Sequence, residues 1–154
     1  MLVVEYERKC AKYRKRMIDS CVDFAFCHLM SRVRNPVYIN IRPIRNLTEK
    51  QGVYGDCMYE DDREFTIRID VSIPPNEMMT TVLHEMVHVW QYLTKRMVQN
   101  QVHEVRFQKV VYNSDMPYDE RPWEIEAHDK EKELWEAFDK ANAERNRKGM
   151  YGYL

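Results

Sequence analysis

Residues 78–93, MMTTVLHEMVHVWQYL, follow Pro74-Pro75-Asn76 and carry apolar side chains around nearly the whole circumference of a helix. Val82, Leu83, Met86, Val87, Val89 and Trp90 leave little surface for water, so this helix is expected to be buried. A buried helix needs cover on several sides, and the flanking segments are read as that cover.

Upstream, Tyr6, Cys10, Tyr13, Met17, Cys21, Phe24 and His28 recur at steps of three and four between charged residues, the pattern of one long amphipathic helix ending before Asn35-Pro36. Val37, Ile39 and Ile41 then alternate with polar neighbours, as do Phe65, Ile67, Ile69 and Val71, which predicts two half-buried strands. Between them GDCMYEDDREF reads as a further short strand that turns at Asp61-Asp62. Its acidic Glu60-Asp61-Asp62 turn is the ordinary chemistry of a solvated hairpin. Downstream, HEVRFQKVVY is expected to add a short helical stretch. A last helix opens at Pro122, suited to a first helical position, and runs through Ala127, Leu134, Trp135, Phe138 and Ala141. Helix, then strands, then helices predict an α+β domain with a small, mostly antiparallel sheet. It should span residues 1–148, leaving 149–154 as a flexible tail.

Lys and Arg number 24 against 25 for Asp and Glu, so no broad nucleic-acid or membrane footprint is advertised. No apolar run reaches the length of a membrane span, and MLVVEYERKCAKYRKR has no signal-peptide core, which predicts a cytoplasmic protein. Cys10, Cys21, Cys27 and Cys57 form no CxxC pair and are expected to be reduced, core-filling thiols.

Within the buried helix, His84 and His88 stand four residues apart. That spacing brings their Cβ atoms within about 5–6 Å on one face, close enough to share a tetrahedral zinc ion. Glu85, next to the first histidine, can reach a zinc-bound water as a general base without ligating. Two histidines and a carboxylate in an apolar helix cost desolvation unless partners are supplied, and a metal with its water supplies them. A catalytic zinc takes a third protein ligand, for which there are two candidates. Glu124 lies in Pro122-Trp123-Glu124-Ile125-Glu126-Ala127-His128, bordering the stripe of Trp123 and Ala127 that faces the core. His103 follows His88 by fifteen residues at an expected loop-to-helix junction.

HEMVHVWQ followed by PWEIEAH resembles gluzincin-type zinc metallopeptidases, including ImmA/IrrE-like proteins, in which a later helix carrying an ExEA or ExxxD segment supplies a glutamate ligand. The resemblance implies a zincin-like hydrolase acting on a peptide or protein substrate, with Glu124 as third ligand and Glu126 as a supporting or surface carboxylate. His128 falls where that pattern often has Asp or Asn. A second resemblance, to SprT-like and Spartan proteases, would make His103 the ligand ahead of Phe107 and would bring in a DNA-associated substrate. Glu104 stands where those proteases have glycine, and no cysteine-rich zinc ribbon follows. PWEIEAH would also be left without a role, so Glu124 is the favoured ligand. A zinc-binding module without catalysis is the remaining alternative, against which Glu85 argues. The small size also looks like HExxH proteins encoded by bacteriophages and bacteria, which would place the chain in a host cytoplasm. Tyr112, Tyr118 and His128 are candidate donors to an oxyanion, and His128, four residues after Glu124, is also a candidate partner for it.

Zinc content after exhaustive dialysis separates the two ligand assignments. Glu124→Ala is expected to lose zinc and His103→Ala to keep it; the reverse pattern would move the chain to the SprT-like reading.

Overall fold

The computed structural model describes residues 1–149. Strand β1 (Leu2–Tyr6), helix α1 (Lys12–Leu29) and strand β2 (Val37–Ile44) form a strand–helix–strand unit. Then come the short helix α2 (Leu47–Gln51) and strands β3 (Gly55–Asp61) and β4 (Glu64–Asp70). Helix α3 (Pro75–Leu93) carries HEMVH. Three short strands follow, β5 (Met97–Gln101), β6 (Glu104–Phe107) and β7 (Val110–Asn113), then helix α4 (Pro122–Arg147).

The larger sheet has the order β1-β2-β4-β3, with β1 and β4 both parallel to β2 and only β3 antiparallel to its neighbour β4. The α+β class therefore holds, but this sheet is not mostly antiparallel. Its first connection is a helical crossover, which returns the chain in the direction it started. The register aligns Ile39 with Phe65 and Ile41 with Ile67, so one face of the sheet is continuously apolar. That face shares a core with Ile18, Cys21, Val22 and Ala25 of α1 and Leu134 and Phe138 of α4. Helix α3 lies among all of them, touching α1, α4, β3 and β4. Eleven of its residues are buried, which is the all-round burial its sequence demands.

Two expectations for local structure fail. Tyr6 does not begin the first helix, because Leu2–Tyr6 is paired with β2 and the helix starts at Lys12. The buried face of α1 begins at Ile18, leaving Tyr13 exposed. The helical stretch expected at HEVRFQKVVY is instead the β6–β7 hairpin, with Val105 and Phe107 buried and Arg106 exposed between them. Its two-residue turn, Gln108-Lys109, has φ of 47° and 72°, the left-handed geometry that lets two strands twist together. That turn usually carries Asn-Gly, and its absence hid the hairpin. The β5–β6–β7 sheet builds a second small core in which Met97, Val105 and Phe107 surround Trp123, the second residue of α4. The start of α4 is thereby held against the end of α3.

All four cysteines are free, but only Cys21 is fully buried and Cys27 is exposed. Among the described residues no helix is long and apolar enough to cross a membrane. The loose tail expected at 149–154 lies outside the described residues from position 150 on.

Asp70, 1% exposed at the end of β4, accepts hydrogen bonds from the backbone N–H groups of Thr48 and Ser72 and from the Thr48 hydroxyl, each at 2.8 Å. Burial alone would raise its pKa, but these donors favour the carboxylate and hold it below the usual value. A depressed native pKa contributes stability above the unfolded value near 3.9, lost as the pH falls through the lower native value. Asp70→Ala should cost about 1–3 kcal/mol in urea unfolding at pH 7 and should flatten the loss of stability below about pH 4.5.

Candidate metal centre

His84, Glu85 and His88 lie in the deeply buried middle of α3, at 7%, 4% and 7% exposure. Helix α4 packs along α3 and brings Glu124, 8% exposed, to the same place from its first turn. His84 Nε2 is 3.2 Å from His88 Nε2 and 3.2 Å from Glu124 Oε2, and His88 Nε2 is 3.4 Å from the same carboxylate oxygen. Three donor atoms thus form a nearly equilateral triangle. A tetrahedral zinc with bonds of about 2.0–2.1 Å separates its ligand atoms by about 3.3–3.4 Å, so the triangle fits that ion without rearrangement.

The ring orientations are fixed from behind. His84 Nδ1 is 3.0 Å from Glu131 Oε2, and His88 Nδ1 is 2.8 Å from Gln91 Oε1, which turns both Nε2 atoms toward the triangle. Gln91 is fully buried and anchored at its other end, donating from Nε2 to Trp123 O and to Glu126 Oε2, both at 2.9 Å. Glu126 is in turn paired with Arg96. Glu126 is therefore a supporting carboxylate, acting on His88 through an amide. Glu131 and Gln91 escaped the sequence reading. The available signal was spacing, since Glu131 lies seven residues after Glu124 on one helix face and Gln91 three after His88.

His128 is exposed. Its Nδ1 is 3.3 Å from Glu131 Oε2 and its Nε2 is 3.2 Å from the Tyr118 hydroxyl. Ligand atoms of His84, Glu124 and His128 also lie within 4.8 Å of one another, so these three residues can hold a metal ion. The triangle with His88 is tighter, and its members are all buried. His128 pairs with Glu131 and Tyr118 rather than serving as the partner of Glu124.

Two candidates lie elsewhere. His103 sits in the exposed turn between β5 and β6, where Nδ1 is 3.1 Å from the Asp115 carboxylate. The expected loop-to-helix junction is absent because that segment is a hairpin. Tyr112, on β7, packs edge-on against Trp123 with ring centroids 6.1 Å apart, in the second core.

Burial is the largest influence on each buried ionisable group, and it is opposed differently at each. In the metal-free chain it would lower His84, but hydrogen bonds to Glu124 and Glu131 outweigh it and push His84 up to about 10. Burial would raise Glu124, yet the two histidines hold it well below the usual carboxylate range. For Glu85 burial wins and pushes it up to about 7, with His88 and His84 pulling against the rise. Among the described residues no hydrogen bond or ion pair satisfies the Glu85 carboxylate. It opens on a cleft of about 500 Å³ also lined by His84, Tyr118, His128 and Glu131. The opposite wall is the segment 52–55 leading into β3, the edge strand of the larger sheet. There Gly55 allows close approach, since a Cβ would meet Arg68 O at 2.7 Å and Thr81 Cγ2 at 2.9 Å.

Comparison with protein-family models, with curated proteins and with solved structures returned no match.

Because Glu131 and Gln91 orient the two rings, Glu131→Ala and Gln91→Ala should each weaken zinc binding by about 10–100-fold in competition with a chromophoric chelator. Wild-type affinity in both variants would show that the rings are held by packing alone.

Proposed function

We propose that the chain is a zinc-dependent metallopeptidase of gluzincin type, with His84, His88 and Glu124 on the metal and Glu85 as general base. The observation that carries this reading is the triangle of 3.2, 3.2 and 3.4 Å between two imidazole nitrogens and a carboxylate oxygen in a buried setting. Three ligands, rather than four, are the set of a catalytic zinc. When bound, zinc supplies a Lewis acid that polarises the scissile carbonyl and brings the pKa of water near 7.

The chain's own residues do the rest. Glu85, buried at the cleft and free of competing hydrogen bonds, takes the proton of the attacking water and returns it to the leaving amine. Its place one residue after His84, at the floor of the cleft, lets one carboxylate serve both halves of that transfer. Tyr118 and His128 line the same cleft, and by giving up their contact with each other they would donate to charge growing on the carbonyl oxygen. Glu131 holds His84 on one side and His128 on the other, so ligand and donor are oriented by one carboxylate.

A carboxylate that has no hydrogen-bond partner among the described residues and opens on the cleft beside the candidate ligands has no purpose in a silent zinc-binding module, which favours catalysis. The SprT-like alternative needs His103 on the metal, and its exposed place beside Asp115 lends that alternative no support. A peptide or protein substrate and a cytoplasmic setting, a host's if the gene is a phage's, remain parts of this proposal.

Glu85→Gln is expected to keep wild-type zinc content and circular dichroism while hydrolysis of a mixed peptide pool falls by about 10²–10⁴-fold. Unchanged hydrolysis in that variant would overturn the mechanism.

A further inference from the structure

Along α3, Glu77, Thr80, Thr81 and His84 recur at steps of three and four, and all four line the cleft. They form a stripe leading away from the metal ligands toward the start of the helix. Glu77 lies seven residues before His84, about 10.5 Å along the helix axis. Between the two, the Thr80 hydroxyl donates to the carbonyls of Asn76 and Glu77, at 3.0 Å each, and the Thr81 hydroxyl to that of Glu77 at 2.7 Å. With their protons engaged, these hydroxyls offer the cleft only acceptor lone pairs.

The facing wall carries Val53 and Tyr54, exposed at 37% and 47%. The charged side chains lining the cleft, histidines aside, are Glu77, Glu85 and Glu131, and no Lys or Arg is among them. This is local, because the whole chain has a net charge of only −1. Glu131 is engaged by two histidines and Glu85 is buried, which leaves Glu77 as the exposed carboxylate at that end. The Glu85 side chain, 4% exposed and without a hydrogen bond to the described residues, opens into the same cleft and marks it as a place for a ligand.

We infer that this end of the cleft takes a lysine or arginine side chain of the substrate, its cationic head at Glu77 and its aliphatic stem along Val53 and Tyr54. The inference rests on the peptidase reading and names its substrate class, peptides with a basic residue close to the bond cut. Extended peptide advances about 3.4 Å per residue, so the basic residue falls within three positions of that bond. The Tyr54 ring adds a face to which a cation is attracted.

The test uses zinc-loaded Glu85→Gln protein, which binds without turnover, and three peptides identical except for arginine, norleucine or glutamate at one position. Arginine should bind tighter than norleucine on the order of fivefold, and glutamate should bind weakest. In Glu77→Gln/Glu85→Gln protein the arginine advantage should fall to that of norleucine with zinc content unchanged. Norleucine or glutamate binding as well as arginine, or an arginine advantage that survives Glu77→Gln, would overturn the inference. Wild-type cleavage of a peptide pool without preference for basic residues would remove it and leave the peptidase reading standing. No binding and no cleavage of any peptide would remove both.

Discussion

The structure turns on a convergence that an apolar interior does not tolerate without a cation. Two imidazole nitrogens and a carboxylate oxygen meet within 3.4 Å of one another, where each is at most 8% exposed. In metal-free protein, protons on the histidines have to balance the carboxylate, which is why His84 is pushed up to about 10 and Glu124 is held low. A divalent ion held there would meet all three donors at once, and its binding free energy would offset the desolvation that burying them costs. Helix α3 therefore contributes much of the apolar core and also the buried polar cluster within it.

The surrounding architecture serves to hold that point still. The larger sheet and α1 cover one side of α3, and α4 covers another. The second small sheet, by enclosing Trp123, fixes the turn of α4 that carries Glu124. The two histidine rings are held differently, His84 by the carboxylate of Glu131 and His88 by the neutral amide of Gln91. Because Gln91 also donates to Trp123 O and Glu126, the orientation of His88 and the position of the Glu124 turn are set together. The candidate ligands from two helices thus form one mechanical unit, opening on a cleft along one side only of α3.

Sequence spacing revealed the parts of the site that depend on one helix. His84, Glu85 and His88 were legible because a four-residue step has a fixed geometry, and Glu124 because a carboxylate bordering an apolar stripe needs a partner. Glu131 and Gln91 were not, since charged and amide residues on helices are mostly solvated and only the packing of α4 on α3 distinguishes these two. The strands of the larger sheet were legible from alternation at Val37–Ile41 and Phe65–Ile69. Its parallel pairing was not, because LVVEY has no clean apolar–polar alternation and its last residue, Tyr6, also fits the helical spacing that follows. The hairpin at Glu104–Asn113 was missed for want of a glycine in its turn, and His103 and Tyr112 were misplaced with it. The cleft wall at Val53 and Tyr54 depends on tertiary packing throughout and left no sequence signal.

The most direct test of the account is a crystal structure of zinc-loaded protein with anomalous scattering at the zinc edge. The account predicts one full-occupancy ion at about 2.0–2.1 Å from His84 Nε2, His88 Nε2 and a Glu124 oxygen, with its fourth position open to the cleft. An ion held by His84, Glu124 and His128 with His88 turned away, or a site closed by a fourth protein ligand, would contradict it.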